Sequence, residues 1–135
     1  MAWKNIWTAA SDGEAARVFE LIDSGECTPI SPDENGYTPI HAAASWGHAE
    51  LLRDLLDRCP EGINVADSDG DTALHHVAGA EELGERVDAI VVLLLQRSGD
   101  LAIKNSEGKT PLDTAEEAGH HRFAEVIEAE STSKA

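Results

Sequence analysis

Leucine pairs recur along this chain at spacings that predict helices buried on more than one side. Leu51, Leu52, Leu55 and Leu56 fall on several faces of one helix, whereas a helix lying on a single core shows one apolar stripe. The longest apolar run, 89–95, spans seven residues and is too short to cross a bilayer. The pattern therefore predicts short helices sandwiched between neighbours, as in a stack of helix pairs.

Between the helical stretches, one polar turn motif occurs three times. Residues 35–43 read NGYTPIHAA, residues 69–77 read DGDTALHHV, and residues 107–115 read EGKTPLDTA. The three glycines are separated by 34 and then 38 residues. In the second unit, Thr38 can cap a helix whose first turn carries Pro39. Gly47 is placed to end the first such helix with a positive φ.

A Gly-x-Thr-Pro-Leu-His-x-Ala signature at a period near 33 residues is typical of ankyrin repeats. The chain resembles the ankyrin-repeat family across nearly its whole length. The resemblance implies an all-α solenoid of four stacked helix–turn–helix units, with β-turn fingers as connections. We expect a single domain over residues 1–130 and a polar tail at 131–135. Its units are expected at about 1–32, 33–68, 69–106 and 107–130.

The two end units and the third unit depart from the repeat. The first lacks the motif start, as an N-terminal cap does. In the last, Asp113, Glu116 and Glu128 replace residues that pack in the second unit, which predicts a polar C-terminal cap. The third unit carries four extra residues within Glu81–Glu85. This insertion is interpreted either as part of a binding face or as a tolerated surface loop.

Composition favours a protein partner of opposite charge. The chain has 26 acidic against 10 basic residues and a net charge of −16, spread through all four units. Such a charge disfavours nucleic acid and anionic membranes as direct partners and favours a basic protein. The alternative is that the acidity only keeps a small array soluble.

Candidate chemistry is sparse. His41 and His75 hold equivalent motif positions, and the family resemblance implies that they make backbone hydrogen bonds between repeats. No metal site, cofactor or catalytic motif is predicted, so we expect a non-enzyme. Cys27 and Cys59 occupy different repeat positions, which favours a reducing, cytosolic or nuclear compartment. We expect a monomer.

The resemblance places partner contacts on the finger tips and on the exposed ends of the first helices. Tyr37 and Trp46 are the strongest candidates because amphipathic aromatics are typical interface hot spots. The competing interpretation is that Tyr37 packs along its own finger and Trp46 folds over a neighbouring repeat. Carried over by position, the predicted contact residues are Ser11, Asp12, Glu34, Asn35, Tyr37, Ser45, Trp46, Ser68, Asp69, Asp71, Gly79, Ala80, Ser106, Glu107, Lys109, Glu117 and Ala118.

Three classes of function remain open from sequence. The first is an adaptor or chaperone-like module that holds a basic protein segment, such as one from a nucleic-acid-binding or ribosomal protein. The second is a regulatory inhibitor that docks on a folded enzyme of the kinase type. An enzyme or metal protein ranks last. Trp3 and Trp7 are assigned to closing the N-terminal edge of the stack, although Trp3 aligns with Tyr37 and could extend its column.

Overall fold

The structure, a computed structural model, describes residues 5–80, 83 and 86–133. Regular secondary structure in this part of the chain is entirely helical, which confirms the all-α prediction. The α-helices are α1 (Ile6–Ser11), α2 (Ala15–Asp23), α3 (Pro39–Ser45), α4 (Ala49–Arg58), α5 (Ala73–Ala78), α6 (Arg86–Gln96), α7 (Pro111–Ala118) and α8 (His121–Ser133). A 3₁₀ helix, Pro60–Asn64, follows α4.

The helices form two layers. The first helices of the units (α1, α3, α5 and α7) stack on one another, and among the second helices α6 packs on both α4 and α8. The core lies between the layers, where Leu52, Leu55, Leu56 and Phe123 are fully buried. The second helices of the units are buried on several sides, which explains their leucine pairs. The predicted solenoid of stacked helix pairs is therefore confirmed.

Helices α3, α5 and α7 each begin with a capping box formed by the repeated threonine. The Thr38 hydroxyl accepts a hydrogen bond from the His41 N–H at 3.2 Å, and His41 Nδ1 accepts one from the Thr38 N–H at 3.0 Å. Thr72 and His75 form the same box in α5. In α7 a carboxylate serves instead, because Asp113 accepts from the Thr110 N–H at 3.1 Å.

The other ring nitrogen of each motif histidine reaches the connection that follows its unit. His41 Nε2 donates to the Val65 carbonyl at 2.8 Å, and His75 Nε2 donates to the Lys109 carbonyl at 2.9 Å. The histidine therefore caps its own helix and holds the next finger in place, as the resemblance implied. Asp113 keeps the cap without this second bond, which suits a last unit.

The outer surface of the second helices is joined by ion pairs between successive units. Asp23 bonds Arg58 at 2.7 Å, and Asp57 bonds Arg97 at 2.5 Å. The third pair, Arg122 with Asp88, is bidentate, with Nε donating to one carboxylate oxygen at 2.8 Å and Nη2 to the other. Arg122 holds the pKa of the Asp88 carboxyl below its usual range.

The ends of the stack differ in part from expectation. Helix α8 continues to Ser133, three residues past the predicted end of the folded domain at residue 130. At the other end, the Trp7 indole donates to the Ser31 carbonyl at 2.8 Å and packs against the core. Trp3 and most of the Glu81–Glu85 insertion lie outside the described residues. Among the helices described, none is long and apolar enough to span a bilayer.

Candidate functional site

Three fingers connect the units, and one polar side chain shapes each of them. We define finger 1 as residues 33–37, finger 2 as 67–71 and finger 3 as 105–109. In finger 1, Asp33 Oδ1 accepts hydrogen bonds from the N–H groups of Asn35 at 2.8 Å and Tyr37 at 3.0 Å. Asp67 and Asn105 make the equivalent pairs of bonds in fingers 2 and 3. The side chain at the start of each finger thus fixes the turn.

Successive fingers are joined edge to edge by backbone hydrogen bonds. The Ser68 N–H donates to the Asn35 carbonyl, and the Ser106 N–H donates to the Asp69 carbonyl, both at 2.8 Å. These bonds fix the distance between neighbouring finger tips. The three fingers therefore form a regular row next to α3, α5 and α7.

Gly70 supplies a direct test of this close approach. Its φ is +78°, and a Cβ there would lie 2.9 Å from backbone atoms of Asn105 and Ser106. Gly108 has a similar φ of +74° but open space around it. We expect Gly70→Ala to lower the free energy of unfolding by about 1 kcal/mol more than Gly108→Ala, because only the first adds a backbone collision to the left-handed strain. Equal losses in urea unfolding would mean that the fingers do not touch as described.

The finger tips expose carboxylates. Glu34, Asp69 and Glu107 are all exposed, one on each finger, and we call them the tip carboxylates. The neighbouring predicted residues Asn35, Ser68 and Ser106 are also exposed or partly exposed. The structure therefore brings these predicted tip residues together in one row.

Tyr37 is less exposed than its predicted role in contacting a partner requires. Its ring stacks on His41 at a centroid distance of 5.8 Å and meets the edge of His76 at 5.3 Å. Burial raises the pKa of the Tyr37 phenol, and the hydroxyl groups of Ser45 and Ser11 partly oppose that rise. Tyr37 therefore packs between finger 1 and the first helices, which favours the competing interpretation for this residue.

Trp46 has the opposite environment. Among the large apolar side chains that the structure describes, it alone is exposed, at 55%. It ends α3, and its carbonyl accepts a bond from Arg86 Nη1 at 3.4 Å. The predicted neighbour Asp12 ends α1 and is exposed. Ala80 is buried at 9% exposure, so its assignment to the contact surface is wrong: the residue packs into the core after α5.

Two other predicted residues are engaged inside the array. The Asp71 carboxylate accepts a bond from the Asn105 side chain at 2.9 Å. The Lys109 ammonium pairs with Glu117 and lies 3.9 Å from Glu107. Hydrogen bonding to Glu117 raises the pKa of Lys109 and so keeps the ammonium charged. The Glu117 carboxylate offsets that charge within the same repeat. Together with Gly79 and Ala118, these residues line a groove bounded by fingers 2 and 3 and by helices α5 and α7.

Asp67, Asp71 and His76 form the one grouping in the described residues with metal-ligand character. One oxygen or nitrogen from each lies within 4.8 Å of the others. These atoms already have partners, because His76 Nε2 donates to Asp67 Oδ2 at 2.8 Å and Asp71 is held by Asn105. A cation at His76 Nε2 would have to displace its bond to Asp67. As they stand, the hydrogen bonds of this grouping link finger 2 to α5 and to finger 3.

The cysteines are poor nucleophiles. Burial, with a hydrogen bond to Glu61, raises the pKa of the Cys59 thiol to about 11. Burial also raises the pKa of Cys27, with Glu26 adding to the effect. Because the thiolate is the reactive form, neither side chain is activated for nucleophilic catalysis at neutral pH.

Two sets of organising residues were missed by sequence reasoning. The first is the Asx residue three positions before each motif glycine, namely Asp33, Asp67 and Asn105. The second is the histidine after a helix-ending glycine: His48 Nε2 donates to the Ser11 carbonyl at 2.8 Å, and His120 Nδ1 to the Ala78 carbonyl at 3.0 Å. Their equivalent positions in different repeats were the available signal.

Comparison with known proteins supports the same family. The family model for ankyrin repeats (three copies) matches residues 6–85. An ankyrin repeat-containing protein of Schizosaccharomyces pombe is 43% identical over 104 residues, which are 77% of this chain and 46% of that protein. The ankyrin repeat, SAM and basic leucine zipper domain-containing protein 1 of Dasypus novemcinctus is 37% identical over 125 residues, 90% of this chain and 25% of that protein.

The chain spans less than half the length of these relatives, so the similarity concerns their repeat regions. Ankyrin repeats generally mediate protein–protein interactions, and the family is typically non-catalytic. The motif, the stacked helix pairs, the capping boxes and the matched family model agree. This chain belongs to the ankyrin-repeat family.

Proposed function

We propose that this chain is a non-catalytic adaptor or escort that holds a basic segment of a protein partner against its fingers and first helices. We call the surface formed by these elements the binding face. Support comes from its charge, from the exposed row of tips and from Trp46 at the end of α3.

The observation that carries the proposal is the separation of charge between the two layers. The fingers and first helices, all within the described chain, contain a single lysine or arginine, Lys109, and nine carboxylates. The four second helices contain five arginines and nine carboxylates. The carboxylates of the binding face are Asp33, Glu34, Asp67, Asp69, Asp71, Glu107, Asp113, Glu116 and Glu117.

This distribution follows from how the array is held together. Arg58 and Arg122 on the second helices, and Arg97 directly after α6, are used in ion pairs between successive units. On the binding face, Lys109 is paired within its own repeat. The binding face therefore keeps excess negative charge. A surface of one sign attracts a partner of the opposite sign and speeds its association.

Trp46 adds an apolar anchor to this charged surface. An arginine guanidinium can stack on an indole face while it pairs with a carboxylate. Such contacts favour arginine over lysine in the bound segment. An exposed tryptophan of this kind also contributes more binding energy than the ion pairs around it.

Salt dependence tests the proposal. A fluorescein-labelled arginine-rich peptide is titrated with the protein at low and high ionic strength, and a glutamate-rich peptide of equal length is the control. We expect binding of the basic peptide alone, weakening by about tenfold as salt screens the exposed charges. Equal binding of both peptides, or affinity that ignores salt, would refute the electrostatic part. Capture of a folded enzyme that binds equally at both salt concentrations would support the inhibitor function instead.

A further inference from the structure

We infer that the insertion of the third unit is a positioning element for the exposed indole of Trp46. Leu83 within the insertion and Arg86 at the start of α6, which we call the brace, close over the turn that ends α3. They hold the backbone that carries the indole. This inference rests on the proposed function, because it concerns the aromatic anchor of the same binding face. It adds the residues that keep this anchor in place to receive an arginine side chain.

The brace packs on the turn of the preceding unit. Leu83 is buried and belongs to the hydrophobic core. A Cβ on Gly47 would lie 3.0 Å from Leu83 Cδ2 and 2.8 Å from Arg86 Cδ. Both side chains therefore cover the turn directly after Trp46, in space that a side chain on Gly47 would need. Through Leu83, the insertion is tied to the second unit.

Arg86 also holds the backbone of Trp46 itself. The last carbonyl groups of a helix have no partner inside that helix. The Trp46 carbonyl, at the end of α3, accepts a hydrogen bond from Arg86 Nη1 at 3.4 Å. The Trp46 N–H is used within the helix, where it donates to the Ala42 carbonyl at 3.2 Å. Both backbone groups of Trp46 are thus engaged while its side chain stays exposed.

The second and fourth units use a histidine where the third uses the brace. His48 donates to a carbonyl of the first unit at 2.8 Å, and His120 donates to a carbonyl of the third unit at 3.0 Å. Residues 79–86 of the third unit read GAEELGER and contain no histidine. The brace therefore replaces the histidine contact at the turn that carries Trp46.

A held backbone matters for binding because of conformational freedom. An anchor that is already fixed loses less freedom when a partner binds than one that is mobile. A guanidinium must also lie close to the indole face in order to stack on it. The brace raises affinity in this way without touching the partner. The alternative is that Leu83 and Arg86 only stabilise the stack, in which case their loss changes unfolding but not binding.

An Arg86→Met variant opposes the brace to a simple charge effect. Methionine keeps an apolar stem over Gly47 but removes both the donor to the Trp46 carbonyl and a positive charge. The lost charge alone would strengthen binding of the arginine-rich peptide. We expect the affinity at low ionic strength, measured by fluorescence anisotropy, to fall about threefold instead, because the anchor becomes mobile. Arg86→Lys, which keeps the charge and a donor, should restore the wild-type affinity.

Arg53→Met is the matched control for charge. Arg53 is exposed on α4, and its replacement changes the net charge by the same amount. This variant should bind the peptide at least as tightly as the wild type. Equal weakening in both variants would overturn the inference, and so would unchanged or tighter binding by Arg86→Met.

Leu83→Ala tests the buried half of the brace. Leu93→Ala makes the same truncation at another buried position, on α6, and both variants should lose stability. Measured where both are folded, only Leu83→Ala should bind the peptide about threefold more weakly than the wild type. In a Trp46→Ala background, Leu83→Ala should have no further effect, because the brace acts through Trp46. An equal effect in both backgrounds would overturn the inference.

A measurement without a partner separates this inference from the proposed function. Nitrogen NMR relaxation of the Trp46 indole N–H, assigned by its absence in Trp46→Ala, reports the fast motion of the side chain. We expect a lower order parameter in Arg86→Met than in the wild type or in Arg53→Met. If the order parameter falls but no basic peptide binds, the proposed function fails and the positioning stands. If the peptide binds but neither its affinity nor the order parameter responds to Arg86→Met, the inference fails and the proposed function stands.

Discussion

A Trp46→Ala variant is expected to bind an arginine-rich peptide about thirtyfold more weakly than the wild type, because truncating an exposed aromatic anchor typically costs about 2 kcal/mol. Its free energy of unfolding should stay within about 0.5 kcal/mol of the wild type, as for other exposed sites. The side chain is 55% exposed, so little packing is lost. Fluorescence anisotropy measures the first quantity and urea unfolding the second.

Trp7→Ala is the matched control. The Trp7 indole donates to the Ser31 carbonyl and packs against the core at the N-terminal end. This variant should therefore lose stability. Should Trp46→Ala bind as tightly as the wild type, the exposed indole would have no part in the binding face.

Mild acid is expected to destabilise the protein through His41. Burial, assisted by repulsion from His76, lowers the pKa of His41 to about 4, against about 6.5 in an unfolded chain. The folded state holds the neutral ring, which accepts from the Thr38 N–H and donates to the Val65 carbonyl. Protonation would break the first of these bonds. Asp67 and Asp71 lie near enough to oppose the shift.

The sign of the effect follows from the lowered pKa. The unfolded chain binds the proton first, so stability from the neutral ring is complete above pH 6.5 and is lost as the pH falls toward 4. The wild type should lose about 2 kcal/mol from this group between about pH 7 and about pH 4.5. Urea unfolding of the wild type and of His41→Gln at both pH values isolates the contribution of His41 to this loss. Parallel losses in the two proteins would exclude His41 as the cause.

The helical stack could be predicted from the sequence because its signals are local and repeated. Thr38 and Pro39 mark a helix start by their own chemistry, and Gly47 has the expected positive φ, +76°. The leucine pairs of α4 reported burial on several sides. Each of these inferences depends on neighbouring residues in the chain, and the repeat tests it more than once.

The binding face could be predicted only in outline. Position within the repeat identified Glu34 and Asp69 as tip residues, since exposure at a tip is set by the turn. It could not show that Tyr37 stacks on His41 and meets the edge of His76, because the second histidine comes from the next unit. Ala80 was misplaced for a related reason: its burial depends on how the chain turns after α5.

The charge separation between the layers was also hidden at the level of composition. Because net charge is spread evenly along the chain, no single segment indicated an acidic binding surface. Only the pairing of Arg58 with Asp23 and of Arg122 with Asp88 across units shows where the positive charge is used. Such long-range pairs have no signature in local sequence.

Two triple variants test most directly whether the acidic binding face holds the partner. Both remove three negative charges, so the net charge of the protein changes equally. The tip variant is Glu34→Gln, Asp69→Asn, Glu107→Gln, and the outer-helix variant is Glu50→Gln, Asp54→Asn, Glu125→Gln. The affinity of each for the arginine-rich peptide is measured at low ionic strength. We expect the tip variant to bind about tenfold more weakly and the outer-helix variant to bind within about twofold of the wild type. Equal weakening of both would contradict a dedicated binding face and leave only a non-specific attraction to the charge of the whole molecule.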